Sequence, residues 1–322
     1  MELSTIYEPV KEDLLKIEER LKAASSAVTH PHLAELIEYS LRNNGKMLRP
    51  ILTLLSGKFY NYDTDYLLPM GTAVEIMHTA TLVHDDAIDS SLVRRGKPTV
   101  NKIWGEEQAV LLGDYLFAEA GALTASTGNL RVIKLFAETL KTISSGEISQ
   151  AFYAFKLEQG RQQYFERVTK KTAALFAMAT ESGAVLSQAP EESIQVLIEY
   201  GYNLGIAFQI VDDILDFIGT EKELGKPTGS DLAQGTLTLP SILILENYPE
   251  DNPVKRLFQD RDRQNEIGLA IDMVRNSTII QECYRVASDY CERARKDLKL
   301  LPDNVCRQSL IDLTEFITLR KK

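Results

Sequence analysis

Apolar residues recur along this chain at three- and four-residue spacing, the period of one helix face. In EPVKEDLLKIEERLKAA they fall at Val10, Leu14, Ile17 and Leu21. Similar stripes run through PHLAELIEYSLRN, VIKLFAETLKTI, FERVTKKTAALFAMATESGAVL, IQVLIEYGYNLGIAFQIVDDILDFI and YRVASDYCERARKDLKLL. No segment sustains the alternation of a half-buried strand. The breaks are NNGKMLRP, RRGKPTV, GTEKELGKPTGSDLAQGTLTLP and NYPEDNPVKRL. Two stretches, MGTAVEIMHTATLVHDDAID and NLGIAFQIVDDILDFI, are apolar on nearly all faces, which predicts helices at the centre of a bundle. The pattern predicts an all-α fold, one large helical domain over residues 1–322 with ten or more helices around one core.

Those two central stretches end in the same cluster of acids. LVHDDAIDSSLVRRGKPT carries Asp85, Asp86 and Asp89; QIVDDILDF carries Asp212, Asp213 and Asp216, again as D-D-x-x-D. On a helix, residues four apart share a face, so Asp85 points with Asp89 and Asp212 with Asp216. Two like charges some 4 Å apart cost about 4 kcal/mol at the effective dielectric of a protein. A divalent cation removes that cost. Hard oxygen ligands without a cysteine or histidine cluster point to Mg²⁺, which takes one or two carboxylates, waters and substrate phosphates. The competing reading is a solvated acidic helix end, or a helix N-terminus whose dipole the acids offset.

Basic residues stand beside these motifs. NNGKMLRP supplies Lys46 and Arg49, Arg94 and Arg95 follow the first acidic motif, VTKKTAAL supplies Lys170 and Lys171, and GKPTGSD supplies Lys226. Arginine offers phosphate oxygens a rigid bidentate fork and lysine a compact point charge. Taken singly, each is more often a solvated surface residue. His78, His84 and Gln209 lie within the apolar helices, where a hydrogen-bonded core role is the commoner one. No Ser–His–Asp arrangement, P-loop or G-x-G-x-x-G occurs.

Composition narrows the partners. The chain of 322 residues has a formal net charge of −10, which argues against nucleic acid or anionic lipid as the main partner. Cys283, Cys291 and Cys306 match no zinc spacing and read as reduced thiols. MELSTIYEPVKEDLLKIEERL is too charged for a signal peptide, and no apolar run approaches the roughly 20 residues of a membrane span. A cytoplasmic protein is expected.

Taken in order, GKMLRP, HDDAID with RRGKPT, KKT, FQIVDDILD, and GKPTGSDL with TLP resemble the trans-isoprenyl diphosphate synthases of the polyprenyl synthetase family over essentially the whole chain. The resemblance implies an all-α bundle around a large central cavity, usually dimeric, that condenses isopentenyl diphosphate with an allylic diphosphate. It implies that Asp85 and Asp89, with Asp86 in support, and Asp212, with Asp216 through water, hold Mg²⁺, three ions per site. Asp213 belongs to the same catalytic set. Arg94, Lys171 and Lys226 would contact the allylic diphosphate; Lys46, Arg49, His78 and Arg95 would hold isopentenyl diphosphate; Thr172 and Gln209 would face the reacting carbons. One departure is Thr236 in GTLTLP, where members often carry lysine.

Product length is expected to depend on the helix before Asp85. Ala80 and Thr81 are small where short-chain members place aromatic side chains; one turn lower come Met77, Ile76 and Ala73. A helix turn of about 5.4 Å matches one isoprene unit, so an open first turn points to a product of about six to ten units, C30 to C50. Phe136 and Leu140 are candidates for a floor. The alternative is early closure at Met77, giving a geranylgeranyl or farnesyl diphosphate synthase. A class I terpene cyclase is a more distant reading, since its second motif is of the N-S-E type. An active subunit that needs a small partner chain is also open to such a sequence.

Overall fold

The computed structural model describes residues 3–42, 45–220 and 227–319. Lys226 lies outside the described residues. In chain order the helices are α1 (Leu3–Ile6), α2 (Lys11–Ala23), α3 (Pro31–Leu41), α4 (Leu48–Gly57), α5 (Thr64–Ile88), α6 (Val100–Trp104), α7 (Glu106–Ser126), α8 (Leu130–Tyr153), α9 (Arg161–Val168), α10 (Ala174–Leu186) and α11 (Glu191–Ile218). Shorter helices follow at Ser230–Ala233, Leu239–Asn247, Pro253–Gln259 and Asn265–Arg275, then two longer ones at Ile279–Arg295 and Val305–Thr318. Among the described residues the only strands are Val93–Arg94 (β1) and Lys97–Pro98 (β2).

Helix boundaries follow local chemistry. Asp63 opens α5 by accepting from Asp65 N at 2.9 Å, and Asn129 opens α8 by accepting from Arg131 N and Val132 N. Pro253 begins its helix behind Asn252, whose side chain accepts from Lys255 N at 2.9 Å. The break expected at NYPEDNPVKRL therefore contains a helix start. RRGKPTV is more ordered than a plain break: Val93 pairs with Pro98 and Arg94 with Lys97 around a turn at Arg95 and Gly96. Both turn residues have positive φ, as a two-residue hairpin turn requires.

The two all-apolar stretches form the centre. Helix α5 packs against α4, α7 and α10, and α10 packs against α4 and α11. Nearly every residue of α5 from Leu67 to Ala80 is buried, as are most from Leu197 to Phe217 of α11. Their approach requires small residues. A Cβ at Gly183 on α10 would run into the Thr53 carbonyl of α4.

Gly183→Ala is expected to overpack the α4–α10 contact and cost about 1–3 kcal/mol. Gly268→Ala, on the exposed side of its helix with nothing within 4 Å of the added methyl, is expected to be neutral or slightly stabilising. Thermal midpoints of the two variants check the contrast; equal midpoints would refute it.

Candidate functional site

One cavity of about 1130 Å³ opens at the ends of α5 and α11 and is lined by residues of both acidic motifs. Both motifs stand at the C-terminal ends of their helices, Asp89 being the residue that closes α5. The dipole-offset reading needed an N-terminus and fails on this placement.

The two motifs have the same spacing and different surroundings. In the first, Asp85 and Asp89 are half-buried and line the cavity, while Asp86 is buried. Arg94 Nε, carried back by the hairpin, donates to both Asp86 oxygens at 2.8 and 2.9 Å, and the arginine still lines the cavity. Burial raises the Asp86 pKa despite that arginine. In the second motif only Asp212 is half-buried; Asp213 is buried but lines the cavity. Asp216, 1% exposed, is not among the lining residues. It accepts from Ser230 Oγ at 2.9 Å and from Asp231 N at 3.3 Å. Of the two aspartates expected to point together, Asp212 lines the cavity and Asp216 does not. Helix α11 continues past Asp216 to Ile218, and Gly229, Ser230 and Asp231 pack back onto this residue.

The Thr172 hydroxyl and the Gln209 amide form a hydrogen-bonded chain to Asp213. Thr172 Oγ1 donates to Gln209 Oε1 at 2.7 Å, Gln209 Nε2 donates to Asp213 Oδ1 at 2.8 Å, and Tyr164 Oη donates to Asp213 Oδ2 at 2.6 Å. Burial, with the charge of Asp231, pushes the Asp213 pKa up to about 7 against those two hydrogen bonds. Lys171 and Thr172 belong to a π turn, Thr169–Ala173, between α9 and α10. Such wide turns re-aim side chains and are frequent at functional sites. This one sends Lys171 into the cavity, with Nζ 2.7 Å from Glu147 Oε1 and 3.6 Å from Asp85 Oδ2. Burial opposes the lysine's charge, but Asp85, Glu147 and Asp89 outweigh it and raise its pKa. Burial and Asp85 raise that of Glu147, and burial raises that of Asp89.

Lys46, Arg49, His78 and Arg95 gather on another part of the same wall. Arg49 is buried, lies 4.7 Å over the Phe176 ring, and has no hydrogen-bond partner for its Nε. Burial lowers its pKa to about 10, still fully charged near neutrality. Arg95 packs on Gly45, where a Cβ would lie 2.7 Å from its guanidinium; the glycine's positive φ adds a second reason for it. Burial, then Arg49, Arg95 and Arg94, hold the His78 pKa well below the usual imidazole range, so this ring is neutral.

The length candidates divide. Thr81 lines the cavity, while Ala80 and Met77 are buried away from it. Phe136 and Leu140 are packed into the core cluster and do not line it. His84 Nε2 donates to Val110 O at 2.9 Å, and the ring stacks edge-on to Phe117. Thr236 lines the cavity, and its N–H donates to Asp231 O at 2.8 Å.

Sequence reading missed Glu75, Glu147, Tyr164, Arg167 and Asp231, all on the cavity wall. Arg167 Nη2 donates to Leu237 O at 2.5 Å and Nη1 to Gln159 Oε1 at 3.2 Å, tying α9 to the loop that carries Thr236. Glu75 left a signal: it is the only charge in an apolar run from Tyr66 to His84. Single acids on ordinary amphipathic faces, such as Glu147, leave none.

The model of the polyprenyl synthetase family matches residues 30–274. The chain is 36% identical over 320 residues to heptaprenyl diphosphate synthase component 2 of Geobacillus stearothermophilus, covering 99% of each. It is 36% identical to a chloroplastic solanesyl-diphosphate synthase 2 of Oryza sativa subsp. japonica, covering 98% of this chain and 79% of that one. Its fold superposes on a polyprenyl synthase of Caulobacter crescentus, solved with calcium and isoprenyl diphosphate, with a TM-score of 0.94 at 32% identity over 100% and 98% of the two chains. It also superposes on a geranylgeranyl pyrophosphate synthase of Lactobacillus brevis at 0.90 and 29% identity, over 99% of each. With helices, paired acidic motifs and cationic wall in one cavity, the chain belongs to the polyprenyl synthetase family of prenyltransferases.

Proposed function

We propose that this chain is a Mg²⁺-dependent trans-prenyltransferase that adds isopentenyl diphosphate to an allylic diphosphate and builds a long all-trans product. The observation that carries the reading is the shared cavity, with half-buried Asp85, Asp89 and Asp212 near Lys171 and Arg94, and Arg49, Arg95 and Lys46 on the same wall. Long-chain names among the relatives, heptaprenyl and solanesyl, support the product class.

The donor set fits Mg²⁺. Asp85, Asp89 and Asp212 put carboxylate oxygens, the hard donors of such an ion, on one cavity. Such a site completes a cation's shell with water and substrate oxygens, which suits an ion that dehydrates reluctantly. Asp85, Asp89 and Asp212 would hold it, and when bound it supplies positive charge to the diphosphate that leaves. Asp213 stands behind Asp212, held by Tyr164 and Gln209. Asp216 orients the loop bearing Asp231.

The protein's own groups do the remaining work. Lys171 and Arg94 hold the allylic diphosphate and stabilise charge as its C–O bond breaks. Lys46, Arg49, Arg95 and neutral His78 place isopentenyl diphosphate so that its double bond attacks the allylic carbon. The Thr172–Gln209 pair faces the cation with oxygen dipoles, and a proton then leaves the new chain, with the released diphosphate as its acceptor. Apolar wall residues such as Leu175, Phe208 and Ile143 keep water from quenching the cation.

A homodimer is the working assembly, for which large exposed apolar side chains on α7 and α8, including Leu111, Ile148 and Phe152, offer surface. The name component 2 on the Geobacillus relative makes a heteromer the alternative. No described helix is long and apolar enough to cross a membrane.

Incubating the purified chain with farnesyl diphosphate, isopentenyl diphosphate and Mg²⁺ should give products beyond C20. A product stopping at C15 or C20 would refute the long-chain reading, and activity appearing only with a second subunit would establish the heteromer. Thr81→Phe, which projects an aromatic ring into the cavity, should shorten the product; Ala80 is walled in, so its enlargement tests packing instead. Lys171→Ala should lower kcat by about 10²-fold, the scale of losing one preorganised charge donor. An unchanged kcat would remove Lys171 from the leaving-group site.

A further inference from the structure

Glu75 is 3% exposed, lines the cavity, and has no hydrogen bond or ion pair from its carboxyl group among the described residues. It sits one turn before His78 on α5, in a run with no other charge from Tyr66 to His84. The charges that reach it are those of Arg49 on α4 and Arg95 at the hairpin turn; Arg49 also feels Asp212 on α11. From α10 comes Phe176, beneath the Arg49 guanidinium. A buried polar group without a partner is disfavoured unless a ligand supplies one. Here the ligand faces two arginines, so it is an anion, and an ionised Glu75 would repel it.

We propose that Glu75 takes up a proton when isopentenyl diphosphate binds, and donates its O–H to the diphosphate in the pocket shared with Arg49, Arg95 and His78. This rests on the assignment of that pocket under the proposed function. In the empty cavity the two arginines favour the carboxylate. A bound diphosphate neutralises them and adds negative charge, so the proton comes from solvent to the carboxyl oxygen and no other bond changes. A carboxylic acid donating to a phosphate oxygen makes a short, charge-assisted hydrogen bond. Burial already brings Glu75 to about 7 in the empty cavity, against the pull of Arg49 and Arg95. His78, held neutral, cannot supply the same proton.

The sign follows from linkage. The bound form has the higher pKa, so affinity is full below about 7 and falls as pH rises from there to the bound value, by up to roughly tenfold per pH unit. The test is calorimetric titration of isopentenyl diphosphate alone into the whole protein between about pH 6.5 and 8.5, in two buffers of different ionisation enthalpy. Uptake of up to one proton is expected in the wild type relative to Glu75→Gln, which cancels the ligand's own ionisation. The glutamine variant, still a donor, should bind with affinity that no longer weakens above pH 7. Equal proton linkage and equal pH dependence in the two proteins would overturn the proposal. If prenyl product still forms, that failure belongs to Glu75 alone; absence of both product and binding overturns the functional reading beneath it.

Discussion

The structure is organised around a concentration of negative charge where two apolar helices end. A helix C-terminus already carries about half a negative elementary charge, and carboxylates there add to it. Both acidic motifs occupy such ends, and both helices are buried over most of their length. Nothing in folding alone rewards that arrangement. Such charge has to be offset, and the surroundings of the two motifs do so differently.

Three of the six motif aspartates are buried, and each is held by donors of the protein. Asp86 takes Arg94, Asp213 takes Tyr164 and Gln209, and Asp216 takes Ser230 and a backbone N–H. Asp85 and Asp89 remain half-buried on the cavity, with Lys171 shared between Asp85 and Glu147. Asp212 is the half-buried member of its own motif. The three buried acids are held in the frame, and the three half-buried ones line the cavity. An aspartate-to-asparagine change thus has a different meaning at positions with identical spacing, because it weakens a buried hydrogen-bonded strut in one case and alters the charge of the cavity wall in the other.

This division marks the limit of what the sequence discloses. The helix class and the central place of the two apolar stretches were legible because apolar periodicity is a local property, whereas the meeting of both motifs with Lys46, Arg49, His78, Arg94, Arg95 and Lys171 was implied by the resemblance to the family and not by spacing. The asymmetry between Asp89 and Asp216 was not. It depends on one helix stopping at Ile88 and the other continuing to Ile218 beneath a folded-back loop. The hairpin that returns Arg94 to Asp86 is two residues per strand, too short for any alternation to register. Glu147, Arg167 and Asp231 are ordinary charges until tertiary packing turns them inward, and Ala80 looked open only because its neighbours across the bundle were unknown.

The permanent cations clarify why the cavity stays receptive. At the end of α11, Arg275 donates to Phe217 O at 2.8 Å and Gly219 O at 3.3 Å, offsetting the helix terminus from behind. At the end of α5, Arg94 performs the same service through Asp86. Both arginines sit where they relieve the buried part of the charge without covering the half-buried carboxylates. Asp85, Asp89 and Asp212 therefore keep their place on the cavity wall, while the charge buried behind them is held by arginine.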